Sequence, residues 1–255
     1  MLKNMVVDLK YRVGFFCLEC DMQKITNKLI SNVSSISYGN LESGNLDDSE
    51  WKNLDYYSKV LLQTHLFMDD TPSINVHTLR NKAFEMVHGQ GAQILVIDYL
   101  QLLAGALKTG NRYEEMAYIS RKLKTIAKEL KVPIIACSQI NRGVENRMDD
   151  EKYGDKLNIT PRLSDLREMG TLEQDADIVC MIHRPEYYGL MNDSYGNDLK
   201  GKADFIIVKN RDQRSQTVRF DFEGDCFRFH EQDRSAPQFD MRHEQLRVTP
   251  DYIPF

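Results

Sequence analysis

Two carboxylates stand where apolar runs end. Asp98 closes the run Ile-Leu-Val-Ile at 94–97, and Glu19 follows Phe-Phe-Cys-Leu at 15–18. A carboxylate at the C-terminal end of a buried parallel strand lies where open α/β sheets bind their ligands. There Asp98 could hold a magnesium ion through water, and Glu19 could polarise an attacking water molecule. Alternatively, Asp98 is a turn or cap residue, and Glu19 caps a helix that starts near Asp21.

Two further polar groups follow apolar runs. Gln139 comes after the run 133–137, and its amide could bond to a phosphate oxygen or a water. Lys209 and Arg211 close the run 203–208 and, being two residues apart, should point to the same side of a strand. An arginine there could stabilise charge that develops on a transferring phosphoryl group. The alternatives are a surface glutamine and a solvated basic turn.

These groups need a sheet to position them. Apolar runs of strand length at 13–18, 66–68, 94–97 and 133–137 alternate with helical patterns at 21–31, 47–64, 76–88 and 113–130. Strands that are apolar on both faces and alternate with helices predict a mostly parallel sheet flanked by helices. In the helix 47–64, Trp51, Leu54, Val60 and Leu61 lie roughly on one face.

The pattern changes in the C-terminal half. The runs 178–182, 203–208, 217–222 and 227–229 follow one another with little helix between them, which predicts antiparallel strands that extend the sheet on its C-terminal side. The stretches 141–161 and 188–202 are polar and predict loops. We therefore predict one α/β domain over 1–230 and a flexible C-terminal tail over 231–255.

Composition limits the class of protein. The 255 residues carry a net charge of -5, and no apolar run reaches the length of a membrane span, so we expect a cytoplasmic protein without a membrane partner. The five cysteines are few and scattered, as is usual in a reducing compartment. Cys17 and Cys20 could be half of a zinc site or a redox pair, but Cys17 lies in a strand pattern and suits the core.

Taken together, these fragments resemble the ATPase motor domain of the DnaB-type replicative DNA helicases. The resemblance runs over about residues 5–230 in the family's order. The matching segments are 15–19 (Phe-Phe-Cys-Leu-Glu), 27–31, 69–72 (Asp-Asp-Thr-Pro), 96–102, 111–112, 119–124, 127–133, 138–147, 163–170, 172–177, 184–188 and 209–211.

The resemblance implies a RecA-like P-loop NTPase fold, with six copies in a ring around single-stranded DNA and ATP bound between neighbours. By position, Glu19 would activate water, Asp98 would hold Mg2+ and Gln139 would sense the γ-phosphate. Lys209 and Arg211 would reach the neighbour's nucleotide. An arginine that acts on the neighbour's nucleotide (a finger in trans) makes hydrolysis depend on ring assembly.

The resemblance also implies contacts with DNA and with other proteins. Arg167, Glu168 and Gly170 match the family's DNA-contacting loop, and the loop 141–161, which contains Arg142, is a second candidate. Backbone amides and a few arginines can follow phosphates without reading sequence, which is compatible with an acidic protein. Arg167 and Glu168 could instead form a surface ion pair. A primase and a helicase loader are the partners that the family implies.

One element of the family pattern is missing. The sequence contains no G-x-x-x-x-G-K-[ST], the loop whose amides cradle phosphates. Residues 2–10 resemble the end of the helix that follows this loop, so we expect the preceding strand to be absent and apolar strand faces to be exposed. Three functions stay open: a piece of a working helicase that cannot hydrolyse ATP alone, a noncatalytic helicase-like module that binds DNA or helicase subunits, and a RecA-type recombinase or related ATPase.

Overall fold

Two four-stranded sheets form the framework of the chain. The computed structural model describes residues 1–104, 111–141, 160–169, 171–193, 195–211 and 213–231. The first sheet is parallel, with the strand order β2-β1-β3-β4. Its strands are β1 (Val13–Cys17), β2 (Leu66–Asp69), β3 (Ile94–Asp98) and β4 (Ile134–Ala136). These are the four apolar runs that the sequence predicts as strands.

Both faces of the parallel sheet are covered. Strand neighbours point to opposite faces, so Phe16 and Ile97 enter one cluster while Phe15 and Val96 enter the other. The first cluster packs against α4 (Val76–Phe84) and α5 (Arg112–Leu130), and the second against α1 (Met22–Ser34). Two-sided burial explains why these strands read as continuous apolar runs instead of alternating ones.

Polar caps set where the helices begin. Asp21 accepts a hydrogen bond from the Lys24 N–H at 2.7 Å and starts α1, and Asp47 forms a capping box at the start of α3 (Asp48–Leu62). Asn75 and Asn111 cap α4 and α5. The short α2 (Tyr38–Ser43) has no counterpart among the predicted helices, whereas the π-helical turns Asn4–Asp8 and Glu85–Gly89 overlap the stretches 2–10 and 76–88 that are expected to be helical.

The second sheet is antiparallel. It consists of β5 (Ile178–His183), β6 (Lys202–Asn210), β7 (Gln216–Glu223) and β8 (Arg228–Glu231), in that order. The prediction of antiparallel strands is confirmed, but they do not extend the first sheet: no ladder in the described ranges joins β4 to β5. In the second sheet, Val179 and Met181 pack with Ile140, which follows β4, and with Leu166.

Strand β5 carries exposed apolar groups. Ile178 and Ile182 are 57% and 56% exposed, while Val179 and Met181 between them are buried. The outward face of β5 is therefore apolar. On α3, the Trp51 side chain is 54% exposed.

The remaining helical pieces are short. The helix α6 (Leu172–Asp175) follows the 3-10 segment Leu163–Met169 and precedes β5. No helix in the described part of the chain is both long and apolar enough to cross a bilayer. The predicted tail, apart from residue 231, and most of the loop 141–161 lie outside the described residues.

Candidate active site

The first sheet places Glu19 and Asp98 at the same end, where the strands β1 and β3 finish. Parallel pairing of β1 with β3 places Cys17 beside Asp98, and the Leu18 N–H donates to the Asp98 carbonyl oxygen at 2.8 Å. Glu19 is the next residue and is exposed, while Asp98 is half-buried. Asp21, not Glu19, caps α1, so the capping alternative for Glu19 finds no support in the structure.

The two carboxylates affect each other electrostatically. Burial raises the pKa of Asp98 and the charge of Glu19 raises it further, whereas Lys28 and a hydrogen bond from Cys137 lower it. A cation placed here would relieve the repulsion between the carboxylates. Magnesium is usually held by one or two carboxylates together with substrate phosphates, so this pair fits Mg2+.

Gln139 lies beside this group because Gln101 holds its backbone. The side-chain amide nitrogen of Gln101 donates to Ser138 Oγ and to the Gln139 carbonyl oxygen, both at 3.0 Å. Gln139 itself is exposed. Gln101 has no role among the residues predicted from the sequence; its only signal was its place three residues after Asp98, and its contacts depend on the adjacency of β3 and β4.

Lys209 and Arg211 lie together at the end of β6, as their spacing predicted. The Lys209 ammonium donates to the carbonyl oxygens of Glu173 at 2.6 Å and Ala176 at 2.8 Å, around the C-terminal end of α6. Arg211 Nη2 donates to the Gln174 carbonyl oxygen at 3.3 Å. Lys209 is half-buried, so the alternative of a solvated basic turn does not describe it.

The carboxylates and the two cations lie near different parts of α5. Helix α5 touches both: Arg112 donates to the Gln101 carbonyl oxygen near the carboxylates, and Lys124 pairs with Asp177 next to Arg211. The twelve positions from Arg112 to Lys124 correspond to about 18 Å along a helix. The contacts near the carboxylates and those near the cations are therefore made at separate parts of this helix.

Of the four proposed DNA-contacting residues, the structure describes only two, and of these only the backbone. Arg142 and Gly170 lie outside the described residues. Arg167 and Glu168 belong to the 3-10 segment Leu163–Met169, but only their backbone is described. Their DNA role and the alternative ion pair both stay predictions.

One stretch mimics part of a phosphate loop. The only Gly-Lys pair in the sequence, Gly201-Lys202, follows Gly196 at the required spacing, but Ala203 stands where Ser or Thr is needed. Lys202 begins the strand β6 and pairs with Asp221. A phosphate loop leads into a helix whose N-terminus faces the phosphate, so this stretch is not one.

The cysteines do not form a metal centre. Cys17 is buried in the core, and its thiol lies 3.5 Å from the Asp69 carbonyl oxygen. Burial raises the pKa of the Cys17 thiol to about 11. No group of three or more His, Cys, Asp or Glu residues within the described ranges could hold a metal ion. Packing is therefore the role of Cys17.

Residues 1–231 match the family model of the DnaB-like helicase C terminal domain. The replicative DNA helicase DnaB of Rickettsia typhi is 39% identical over 211 residues, covering 78% of this chain and 41% of the relative. A probable plasmid replicative DNA helicase of Chlamydia psittaci is 38% identical over 219 residues, covering 85% of this chain and 44% of the relative. The chain thus spans less than half the length of these relatives.

Solved structures give the same result. The ATPase domain of one solved protein aligns with a TM-score of 0.78 at 30% identity, covering 89% of this chain and 76% of that one. A DnaB-like replicative helicase, described with its interactions with primase, also aligns with a TM-score of 0.78 at 30% identity, covering 89% of this chain and 52% of that one. These matches confirm the RecA-like fold, and with the family match they show that the chain belongs to the DnaB-like helicase C-terminal domain family.

Proposed function

We propose that the chain is the motor part of a hexameric ring that unwinds duplex DNA at the replication fork, using ATP to translocate on single-stranded DNA. The observation that carries this proposal is that Arg112, near the carboxylates, and Lys124, near the cations, stand about 18 Å apart along α5. A catalytic site that needs both must draw them from two neighbouring subunits. Closed rings provide such an interface at every subunit.

On this proposal, three residues act on the nucleotide of their own chain. Asp98 holds Mg2+ through water, and Glu19 orients the attacking water and accepts its proton. Gln139 faces the γ-phosphate, with its backbone held by Gln101. Bound Mg2+ would neutralise the charge on the ATP phosphates.

Arg211 acts on the nucleotide of the neighbouring subunit, and Lys209 accompanies it. The planar guanidinium suits the charge that spreads over the transferring phosphoryl oxygens. In the single chain Lys209 is engaged with the carbonyl groups of α6. Its reach to a neighbour's phosphate therefore requires that it exchange these contacts at the subunit interface.

Four residues are proposed to contact single-stranded DNA: Arg142, Arg167, Glu168 and Gly170. With a net charge of -5, the chain should bind phosphates through local groups and backbone amides, and its affinity should fall with salt. By analogy with the relative described with primase, we also propose a primase contact, and a loader to place the ring on DNA. The bacterial relatives favour the cytoplasm of a bacterial or phage-infected cell.

Replacement of Glu19 tests the assignment of the water-activating group. In the complete protein, Glu19→Gln should abolish ATP hydrolysis and leave ATP binding unchanged, because the amide keeps the shape and loses the proton-accepting charge. The control is Glu85→Gln, an exposed carboxylate in the turn that precedes β3, at the opposite end of the sheet. Loss of ATP binding by Glu19→Gln would refute the role given to it.

A second function is a noncatalytic module that binds DNA or helicase subunits. It is favoured by one observation, the lack of a phosphate loop in the 255 residues. We expect the purified chain alone to show no ATP hydrolysis, with or without single-stranded DNA. Hydrolysis at the level of a complete helicase would show that the chain does not need the loop. Stable binding to complete helicase subunits without any gain in hydrolysis would favour the module.

A further inference from the structure

Asp177 contacts Arg211 in two ways. Its carboxylate oxygen Oδ1 lies 3.0 Å from Arg211 Nη1, and its carbonyl oxygen accepts the Arg211 N–H at 3.1 Å. The second carboxylate oxygen accepts a hydrogen bond from Lys124 of α5. Asp177 therefore joins the end of β6 to the middle of α5, at the position where the chain leaves α6 and enters β5.

These contacts fix the direction of the guanidinium. Arg211 Nη1 pairs with Asp177, and Nη2 donates to the Gln174 carbonyl oxygen. The guanidinium is a rigid planar fork with five N–H donors, so two fixed contacts define its plane and leave other donors available for a phosphate. The Arg211 side chain is 50% exposed, which keeps it accessible to a neighbouring subunit.

Stability does not explain this arrangement. The side chains of Asp177 and Arg211 are 58% and 50% exposed, and exposed ion pairs contribute little to folding. The hydrogen bond from Lys124, followed by the nearby charges of Lys124, Arg211 and Lys209, lowers the pKa of Asp177. The carboxylate therefore keeps its charge at neutral pH and holds these cations at all pH values at which a helicase works.

We propose that Asp177 is a positioning residue that holds Arg211 in the direction from which it reaches the nucleotide of the neighbouring subunit. The inference rests on the proposed function, since it requires Arg211 to act in trans. A long arginine side chain at a strand end otherwise samples many rotamers, and ordering it at each turnover has an entropic cost. Asp177 removes part of that cost before the transition state is reached.

The test is steady-state ATP hydrolysis by the complete ring on single-stranded DNA. Asp177→Asn keeps the backbone contact and removes the charge, and it should lower kcat about tenfold with KM for ATP unchanged. Asp177→Glu should recover part of the loss. The double variant Asp177→Asn/Arg211→Ala should be no slower than Arg211→Ala alone, because Asp177 acts only through Arg211. A matched control is Asp221→Asn, which breaks the pair with Lys202 in the same sheet and should leave kcat unchanged.

Each result has one meaning. If Arg211→Ala lowers kcat but Asp177→Asn does not, Asp177 does not position the finger, although the proposed function survives. If the fold losses of kcat caused by the two substitutions multiply in the double variant, Asp177 acts independently of Arg211 and the inference is wrong. If Arg211→Ala itself leaves kcat unchanged, the trans finger and this inference both fail. Equal urea midpoints for Asp177→Asn and the unmodified protein would show that a change in kcat does not reflect unfolding.

Discussion

Two inactive variants should restore activity to each other if the site is shared between subunits. Glu19→Gln removes the water-activating carboxylate and leaves Arg211 intact, while Arg211→Ala does the reverse. In a mixed ring, an Arg211→Ala subunit can bind and activate the nucleotide when its neighbour is a Glu19→Gln subunit that supplies the arginine. The prediction follows from the distance along α5 that separates the two groups in one chain.

The expected rate of ATP hydrolysis follows from the order of the two kinds of subunit in the mixed ring. With equal amounts and random order, the required nucleotide-side subunit occurs with a probability of one half, and so does the required neighbour, so about one quarter of interfaces are competent. ATP hydrolysis should therefore recover to about one quarter of the unmodified rate if interfaces act independently. A site built within one subunit would give no recovery, because each variant lacks one of its parts.

A second mixture of subunits gives an independent measurement of the fraction of the hydrolysis rate that remains. Unmodified subunits mixed equally with the double variant Glu19→Gln/Arg211→Ala should retain about one quarter of the rate for a shared site and about one half for a site within one subunit. The assay is phosphate release after subunit exchange, with exchange itself followed by fluorescence transfer between labelled subunits. Complete exchange without recovery in the first mixture would refute the trans assignment of Arg211.

Two other predictions concern the fold around the site. A methyl group at Gly14 would lie 2.7 Å from Leu95 Cδ2 and 2.8 Å from Met86 Sδ, so Gly14→Ala should destabilise the core by about 1–3 kcal/mol in urea unfolding. Gly39→Ala, with 3.7 Å to its nearest neighbour, is the control and should not destabilise; an equal loss at both positions would contradict the steric account. Because burial and Glu19 raise the pKa of Asp98, its charge destabilises the fold above that pKa. Asp98→Asn should be more stable at pH 7 and lose this advantage as pH falls through the raised pKa of Asp98 towards the ordinary aspartate pKa of about 3.9; a less stable variant at pH 7 would contradict this sign.

The parallel sheet could be predicted because its signals are local. Burial on both faces requires apolar residues at every position, and the caps at Asp21 and Asn111 contact N–H groups two or three residues away. The apolar runs alone therefore located β1 and β3 with Glu19 and Asp98 at their ends, and β4 with Gln139 after it. The spacing of Lys209 and Arg211 likewise predicted their common direction.

The features that the sequence could not predict depend on contacts between distant segments. The run at α2 contains Gly and Ser and reads as a turn, but Tyr38 packs its ring 5.3 Å from that of Phe227, far along the chain. Gln101 and Asp177 lie inside the matching segments 96–102 and 172–177, but their partners can be identified only once β4 lies beside β3 and β6 beside β5. The separation of the two sheets also depends on packing and not on strand pattern.

Helix α5 sets the geometry on which the proposed mechanism depends. Its 19 residues correspond to a length of about 28 Å. Arg112 lies near Asp98 through its contact with Gln101, and Lys124 lies near Arg211 through its contact with Asp177. Ser120, between them, donates a hydrogen bond to the Asp175 carboxylate at 2.6 Å, which connects α6 to α5. Lys209 and Arg211 hold α6 from the other side, and α6 follows directly on the segment that carries the proposed DNA residues. On the proposed function, a change in what Arg211 contacts at a subunit interface should act first on α6 and then on the segment Leu163–Met169.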